Sequence, residues 1–306
     1  MVPVSVRASA AQSGGAEGAQ VTSVTNGSGI EKTVRGYYDA AIDAYSVMMP
    51  QDSWHHGDER AHEAGLSSEE AALDMQRQLV AAAGITAGDL VLDFGSGVGG
   101  AVVSMAEMTG ARFVGISNND ALTAKSQRLA AAHGLADKVF FHSVGDLEYR
   151  TLGAWPDAAF AAITYQESVV HLPDKQAFFN AAFRVLRPGG TLAAVDWIQR
   201  PWGEHLSPEQ IEAVMAPVNR GFCIPGHATV EQYRDMLASA GFDVREAIDL
   251  FPSGPCWGST PEDEREKWLT YEGDRNDLFH DGKVALDAAR AAGVFSVAKL
   301  VATKPA

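Results

Sequence analysis

Cysteine and positive charge are both scarce in this chain of 306 residues. Its two cysteines, Cys223 and Cys256, are too few for a disulfide framework or a four-cysteine zinc site. Their scarcity predicts a reducing, cytoplasmic setting. Lysine and arginine number 24 against 39 aspartates and glutamates, which gives a formal net charge of −15. The resulting field repels polyanions and argues against nucleic acid as a partner, while a local basic pocket or a metal-bridged anionic ligand stays open.

Long apolar runs are also missing. No run approaches the roughly 20 residues that cross a bilayer, so no membrane span is expected. The N-terminus shows no cationic segment followed by an apolar core, which argues against a secretion signal. Residues 1–30 hold five alanines, five glycines and five serines. Such a segment buries too little to offset its ordering entropy, so a disordered tail is predicted there. Residues 31–306 are predicted to form one domain, and a homo-oligomer is left open.

The apolar pattern changes character near residue 89. Before it, apolar side chains at helical spacing predict helices over 31–49 and 67–83, a helical cover spanning 31–83. Ser67 and Glu70 form a capping box at the start of the second helix. After it, short apolar runs predict strands at 90–93, 112–116, 139–143, 159–164, 190–197 and 294–302. Helices are predicted between them at 99–109, 121–133 and 175–186, and the region 200–240 is predicted to be helical. This alternation indicates βαβ units and a parallel sheet.

Polar or glycine-rich turns follow three of the predicted strands. The first strand runs into a glycine-rich turn from Asp93 to Gly100, which lets the backbone approach a ligand at the start of a helix. The second ends in a turn containing Asn118 and Asn119, and the third ends at Asp146. The carboxyl ends of parallel strands meet at one edge of the sheet, so these turns are predicted to line one ligand crevice.

These motifs together resemble those of class I S-adenosylmethionine (SAM)-dependent methyltransferases. The run 91–99 is similar to their first motif, and 145–147, 165–172 and 186–190 are similar to later motifs in the same order. The resemblance covers residues 31–200 well and the remainder loosely. It implies a doubly wound, mostly parallel α/β sheet of the Rossmann-like kind. It also implies a set of SAM-binding residues: Asp93, Gly95, Ser96, Gly97, Asn118, Asn119, Asp146, Leu147 and Gln166.

Further segments resemble carbon methyltransferases that act on isoprenoids. The run 115–120 is similar to sterol C-methyltransferases, which carry asparagine where an acidic ribose ligand is common elsewhere. The segment 165–174 resembles a loop of sterol, tocopherol and geranyl diphosphate C-methyltransferases. The last two groups also resemble the chain in the histidine-rich segment 54–57. The resemblance implies methylation of an isoprenoid alkene, most simply a prenyl diphosphate such as geranyl diphosphate, with Mg²⁺ bridging the diphosphate.

Glu167 is the predicted catalytic residue. An alkene that attacks a methyl donor leaves a tertiary carbocation, which a nearby carboxylate stabilises and then deprotonates. Glu167 directly follows a predicted strand at the ligand edge of the sheet. The alternative is a structural carboxylate that caps a helix or pairs with an arginine.

The acceptor is predicted to bind among aromatic and basic residues around the crevice. Aromatic faces stabilise cations, and Tyr37, Trp197 and Phe222 are further candidates. The candidate ligands of the diphosphate are His55, His56, Arg60, His62 and Arg220. The helical region 200–240 is predicted to form a lid. The predicted acceptor-binding residues are Tyr38, Trp54, His55, His56, His171, Trp202, Arg220 and Trp257.

Two other functions stay open. One is O- or N-methylation of a small natural product. Related O-methyltransferases usually carry two adjacent histidines where this chain has Val170 and His171, so Asp196 or His227 would have to serve as base. The other is a SAM-binding module without activity, against which the intact glycine turn argues.

Overall fold

The computed structural model describes residues 28–49, 52–201, 206–257, 262–273 and 276–306, in which seven strands form one sheet flanked by helices. The strands are β1 (Leu90–Phe94), β2 (Arg112–Ser117), β3 (Val139–Ser143), β4 (Phe160–Gln166), β5 (Leu186–Gln199), β6 (Asp243–Asp249) and β7 (Phe295–Thr303). The helices are α1 (Ser28–Met48), α2 (Glu59–Glu63), α3 (Ser68–Ala83), α4 (Gly100–Thr109), α5 (Asp120–Ala132), α6 (Asp146–Thr151), α7 (Lys175–Val185), α8 (Pro208–Gly221), α9 (Val230–Ser239), α10 (Glu262–Thr270) and α11 (Asn276–Ala291). A short 3₁₀ helix spans Val169–His171.

The sheet has the order β3-β2-β1-β4-β5-β7-β6. Neighbours from β3 to β5 pair in parallel, whereas β7 pairs antiparallel with both β5 and β6. The chain reverses its direction of winding between β1 and β4, so the turns after these adjacent strands leave a crevice between them. Open α/β sheets bind ligands at such a switch point.

Three groups of buried side chains hold the layers together. One group packs between the sheet and α7 and α9, and includes Phe94, Phe178 and Tyr233. A second lies between the sheet and α4 and α5. The third joins α1, α3, α8 and α11 around β5 and β7, and includes Tyr37 and Met75. This third group of side chains packs over the ligand edge of the sheet and covers it.

The predicted fold class is confirmed. The predicted capping box and the glycine at the end of α3 are also observed. Ser67 caps α3 with Glu70 in a reciprocal capping box, and Gly84 ends the helix in a left-handed conformation. Strand β5 begins at Leu186, four residues earlier than predicted. Helix α1 begins at Ser28, before the predicted start of order at residue 31. The predicted tail otherwise lies outside the described residues.

The C-terminal third differs most from the sequence-based expectation. Strand β6 and helices α10 and α11 were not predicted. Of the region predicted as a lid at 200–240, α8 lies over the ligand edge beside α11, but α9 packs against β6 and α7 as part of the sheet's own helical layer. Tyr233 of α9 is fully buried and donates its hydroxyl to Asp196 of β5. The cover is therefore built from α1, α8, α10 and α11. No helix in the described residues is both long and apolar enough to cross a membrane.

Phe178 tests the core between the sheet and α7. It is fully buried, with its ring 4.4 Å from that of Phe94 and 5.7 Å from that of Tyr165. Phe178→Ala should lower the free energy of unfolding by about 3–5 kcal/mol, because it leaves a cavity among rings that cannot collapse. The matched control is Phe140→Ala on β3, where the ring is 42% exposed and the loss should be much smaller. Equal losses in urea unfolding of the two variants would contradict this packing.

Candidate active site

Two adjoining cavities lie at the carboxyl edge of the sheet. The glycine-loop crevice, with about 780 Å³ of empty space in its main part, runs along the turns after β1, β2 and β4. The aromatic cavity, with about 1070 Å³, lies beneath α1, α8, α10 and α11. Residues that line both cavities are Tyr38, Tyr45, Trp54, Glu167 and His171.

The glycine turn gives the crevice its floor. Gly95, Gly97 and Gly99 all have positive φ angles, a conformation that glycine adopts without a steric penalty. At Gly95 a side chain is also excluded by space, since a Cβ would overlap Ser168. The backbone of this turn can therefore lie directly against a ligand, and α4 begins immediately after it.

Asp93 stands beside this turn at the end of β1. It is buried, lines the crevice and accepts a hydrogen bond from Thr164 Oγ1 at 2.7 Å. Burial raises the pKa of its carboxyl to about 7, a shift that the bond from Thr164 only partly offsets. Nearby, Gln166 presents a buried side-chain oxygen that finds no hydrogen-bond partner within the described residues. Both groups are suited to a cationic ligand that donates hydrogen bonds.

The other predicted cofactor residues divide into two sets. Gly95, Ser96, Gly97 and Asn118 line the crevice as expected. Asn119 does not: its side-chain oxygen caps α5 through Leu122 N–H, and its amide donates to Asp39 of α1. Asp146 and Leu147 begin α6 after β3, and their side chains lie outside the described part of the structure. Tyr149 of α6, which the sequence did not single out, also lines the crevice and stacks on Phe94 with ring centres 4.3 Å apart.

Glu167 lies between the two cavities and is held by three hydrogen bonds. His56 donates its backbone N–H to Oε1 at 2.8 Å, and its ring Nδ1 lies 3.1 Å from the same oxygen. Trp197 donates its indole N–H to Oε2 at 2.8 Å. Burial alone would raise the pKa of Glu167, but the charge and hydrogen bonds of His56 outweigh it and hold the pKa below its usual value. A buried, ionised carboxylate therefore faces both cavities.

His55 and His56 have roles other than the predicted one. His55 is buried, its Nε2 lies 2.9 Å from Gln76 Nε2, and burial lowers its pKa to about 4. It is therefore neutral near pH 7 and adds no positive charge. The ring of His56 bonds to Glu167 on one side and stacks on Trp257 at 4.0 Å.

The remaining predicted anion ligands lie away from the cavities or have other partners. Arg60 pairs with Asp58 at 2.8 Å, and the ring of His62 contacts Phe251. Arg220 is exposed and lines neither cavity. Trp202 falls outside the described residues. The described structure thus gives most of the proposed diphosphate ligands other roles.

The walls of the aromatic cavity are largely apolar rings. Tyr38 bonds to His171 Nε2 at 3.1 Å, and Tyr45 bonds to Tyr37 at 2.7 Å. The edge of the Tyr45 ring faces Trp54 and Trp268, with centres about 5.1 and 5.2 Å away. The rings that line the cavity come from Tyr37, Tyr38, Tyr45, Trp54, Trp197, Phe222, Trp257 and Trp268.

Neither alternative base named from the sequence reaches these cavities. Asp196 of β5 is fully buried, lines neither cavity and accepts a hydrogen bond from Tyr233. His227 bonds to Asn219 and stacks behind Trp197. His171 lines both cavities, and burial lowers its pKa to about 4.

The cavity also contains wall residues that the sequence analysis missed. Trp268 of α10, together with Lys283, Leu286 and Arg290 of α11, lines its far side. The helical spacing of Phe279, Leu286 and Ala289 was the available signal for α11.

Within the described ranges, no three His, Cys, Asp or Glu side chains lie close enough together to form a protein-only metal site. Mg²⁺ that bridges a diphosphate usually binds through one or two carboxylates and the phosphates themselves, so this observation does not test the predicted Mg²⁺.

Known proteins that are similar in sequence to this chain are methyltransferases. Residues 91–190 match a family model described as a methyltransferase domain. The chain is 31% identical over 217 residues to a sterol 24-C-methyltransferase of Eremothecium gossypii, covering 70% of this chain and 57% of that one. It therefore spans little more than half the length of that relative. It is also 31% identical over 235 residues to methyltransferase GfsG of Streptomyces halstedii, covering 74% of this chain and 79% of that one.

A solved structure shows the same fold. The geranyl diphosphate C-methyltransferase from Streptomyces coelicolor superposes with a TM-score of 0.67 at 17% identity, over 90% of this chain and 98% of that one. The matched domain and the relatives are all methyltransferases, and the glycine turn lies at the switch point of the sheet, where such enzymes bind their cofactor. This chain belongs to the class I SAM-dependent methyltransferases.

Proposed function

We propose that this enzyme methylates an alkene carbon of an isoprenoid and that Glu167 removes the proton which restores a double bond. The observation that carries the proposal is the position of Glu167. It is an ionised, buried carboxylate on the boundary between a crevice suited to the methyl donor and a cavity walled by aromatic rings.

The crevice fits SAM by its own chemistry. When bound, SAM supplies an electrophilic methyl group on a sulfonium. Asp93 and the unpartnered oxygen of Gln166 would accept hydrogen bonds from its amino group, and the glycine turn would admit it without steric conflict. Asn118, which also lines the crevice, would bond to a ribose hydroxyl of the cofactor.

The aromatic cavity suits a carbon nucleophile. The π electrons of the alkene form a bond to the methyl carbon while the carbon–sulfur bond breaks, leaving a tertiary carbocation on the acceptor. The faces of Tyr38, Tyr45 and Trp54, which line both cavities, stabilise positive charge at that point. Glu167 then takes a proton from the adjacent carbon, and the electron pair of that C–H bond forms the new alkene.

The strength of Glu167 as a base is set by its surroundings. The bonds from His56 and Trp197 keep it ionised and fix its direction, but each of them also lowers its basicity. A carbocation is a very strong acid, so orientation matters more than basicity for this step.

Geranyl diphosphate is one acceptor of this class. The resemblance to geranyl diphosphate C-methyltransferases supports it, and an Mg²⁺ bridge would then be expected. Most of the predicted diphosphate ligands have other partners in the described structure, and Arg220 lines neither cavity, so the isoprenoid alkene is better supported than the diphosphate head.

A second candidate is O-methylation of a small-molecule hydroxyl. It is favoured by His171, which is neutral, touches both cavities and bonds to the hydroxyl of Tyr38. This arrangement could accept a proton from an acceptor hydroxyl. It leaves the buried charge of Glu167 without a function, which is why we rank it second.

Asp93 makes cofactor affinity depend on pH. With a pKa near 7, its carboxyl is mostly protonated at pH 5.5 and mostly ionised at pH 8. The ionised form attracts the cationic ligand, so the affinity for SAM should rise from pH 5.5 to 7, by up to about tenfold per unit, and then level off. Asp93→Asn should weaken binding at pH 7.5 and remove most of this slope. Calorimetric titration over the pH range measures both, and an unchanged slope in the variant would assign the titration elsewhere.

Glu167→Gln separates base catalysis from structure. The amide keeps the shape but cannot take a proton, so methylation of an isoprenoid alkene should fall by about 10²–10⁴-fold while SAM binding stays near that of the parent. The control is Glu107→Gln, which neutralises a glutamate bonded to a histidine, His133, on the exposed surface. Formation of the heavier product by mass spectrometry, with geranyl diphosphate and farnesol as acceptors and with and without EDTA, is the readout. Full activity of Glu167→Gln on a hydroxyl acceptor would favour O-methylation.

A further inference from the structure

The loop between β4 and α7 lies against both cavities. This post-β4 loop, residues 167–174, begins at Glu167, whose φ angle of 54° is strained for a non-glycine residue. Near its start Ser168 donates its hydroxyl to the backbone oxygen of Phe94 on β1 at 2.8 Å. The position of the loop shapes both sites, because five of its residues line one cavity or both: Glu167, Ser168, Val170, His171 and Leu172.

Lys175, the first residue of α7, holds the other end of the loop. It is 9% exposed and lines neither cavity. Its Nζ donates to the backbone oxygens of Val170 at 3.1 Å, Leu172 at 2.9 Å and Gly226 at 3.0 Å. Lysine is seldom buried unless it is paired. Here the partners are three backbone oxygens from two separate segments of the chain.

The ammonium group matches this set of oxygens. It has three N–H donors, and each oxygen takes one of them. Burial lowers the pKa of Lys175 to about 8, against the opposing effect of the Asp196 charge, so the group is mostly protonated at pH 7. Val170 and Leu172 lie on either side of His171 at a 3₁₀ turn, where backbone oxygens lack helical partners. Lys175 therefore satisfies oxygens that would be costly to bury unpaired.

The third oxygen connects the loop to a different wall. Gly226 lies in the connection between α8 and α9, which begins at Phe222 of the aromatic cavity. Cys223 in this connection has a φ angle of 53°, which surrounding contacts must hold. Lys175 thus joins two segments that each contain a strained residue, and both segments contribute side chains to the cavities.

We propose that Lys175 is a positioning residue for methyl transfer, whose ammonium fixes the post-β4 loop before any ligand binds. Glu167 and His171 then already lie at the boundary of the two cavities in the free enzyme. Binding of the cofactor requires no ordering of the loop, which would otherwise reduce its affinity. This role of Lys175 holds whichever acceptor the enzyme methylates.

Amide hydrogen exchange of the parent enzyme tests whether the loop is fixed in advance. The amides of His171 and Leu172 bond to Ser168 O and Val169 O. Without ligand they should exchange at least about tenfold more slowly than in an unstructured peptide, as mass spectrometry of loop peptides would show. Exchange at the unstructured rate in the free enzyme would overturn the proposal, because a ligand rather than Lys175 would then order the loop.

Lys175→Met removes the ammonium and keeps an unbranched side chain. The loop amides of the free variant should exchange faster, and the affinity for S-adenosylhomocysteine should fall by about tenfold, since only molecules with an ordered loop bind well. Calorimetric titration measures the affinity. Lys175→Arg keeps a buried cation with N–H donors and should recover part of it. Affinity equal to that of the parent in Lys175→Met would contradict the proposal.

Lys304 offers a matched control. Its Nζ also donates to backbone oxygens, those of Phe183 and Leu186 at 2.8 Å, but it lines neither cavity. Lys304→Met should lower the free energy of unfolding, as Lys175→Met does, and leave both loop exchange and cofactor affinity unchanged. Equal losses of affinity in the two variants would reveal a general effect of losing a carbonyl-bonded lysine and overturn the proposal.

The test does not depend on the acceptor. Both readouts use S-adenosylhomocysteine or no ligand, so a failure to methylate an isoprenoid would reject the proposed function and leave the role of Lys175 intact. If neither variant of Lys175 folds, the exchange of the free parent enzyme still decides the question.

Discussion

The burial of one carboxylate organises the ligand edge of this enzyme. Glu167 is 7% exposed in its side chain, yet it stays ionised because His56 and Trp197 direct three donors at its two oxygens. An unpaired buried charge would cost several kcal/mol, so these donors are a condition for the fold as well as for the base role proposed for Glu167. Glu167 also has a φ angle of 54°, a strained conformation for a non-glycine residue that surrounding contacts must hold.

This interaction joins parts of the chain that are far apart in sequence. The segment of residues 52–57 supplies His56, β4 ends at Glu167, and β5 supplies Trp197. The environment of Glu167 is therefore complete only when this segment packs against the carboxyl ends of β4 and β5. Trp257 continues the connection by stacking on His56 and by accepting a hydrogen bond from Arg290 of α11 at its backbone oxygen. Hydrogen bonds and ring stacking thus join the segment 52–57, the sheet and α11.

The sequence predicted best what is decided locally. Asp93, the glycines after it and Glu167 follow strands whose apolar runs are unmistakable, so their meeting at one edge follows from the parallel sheet. Strand β6 was missed because it is partly exposed and four of its seven residues are charged, so no apolar run marks it. The contacts of Asn119 with Asp39 and of His55 with Gln76 could not be predicted, because both join residues that are far apart in the sequence. The cap that Asn119 provides to α5 is local, and an asparagine directly before a predicted helix was its available signal. His55 and His56 were predicted to bind an anion. In the structure His55 bonds to Gln76, and His56 bonds to Glu167.

The position of Glu167 also constrains how the proposed acceptor would bind. Its buried negative charge lies on the boundary between the two cavities and repels an anionic group from that boundary. The low dielectric among the surrounding rings strengthens the repulsion. An acceptor with an anionic end would therefore bind with that end away from Glu167 and with its hydrocarbon chain toward Tyr38 and Trp54. The alkene that is methylated would then be selected by its distance from the anionic end, so pocket length and the position of this charge would set the regiochemistry of methyl transfer.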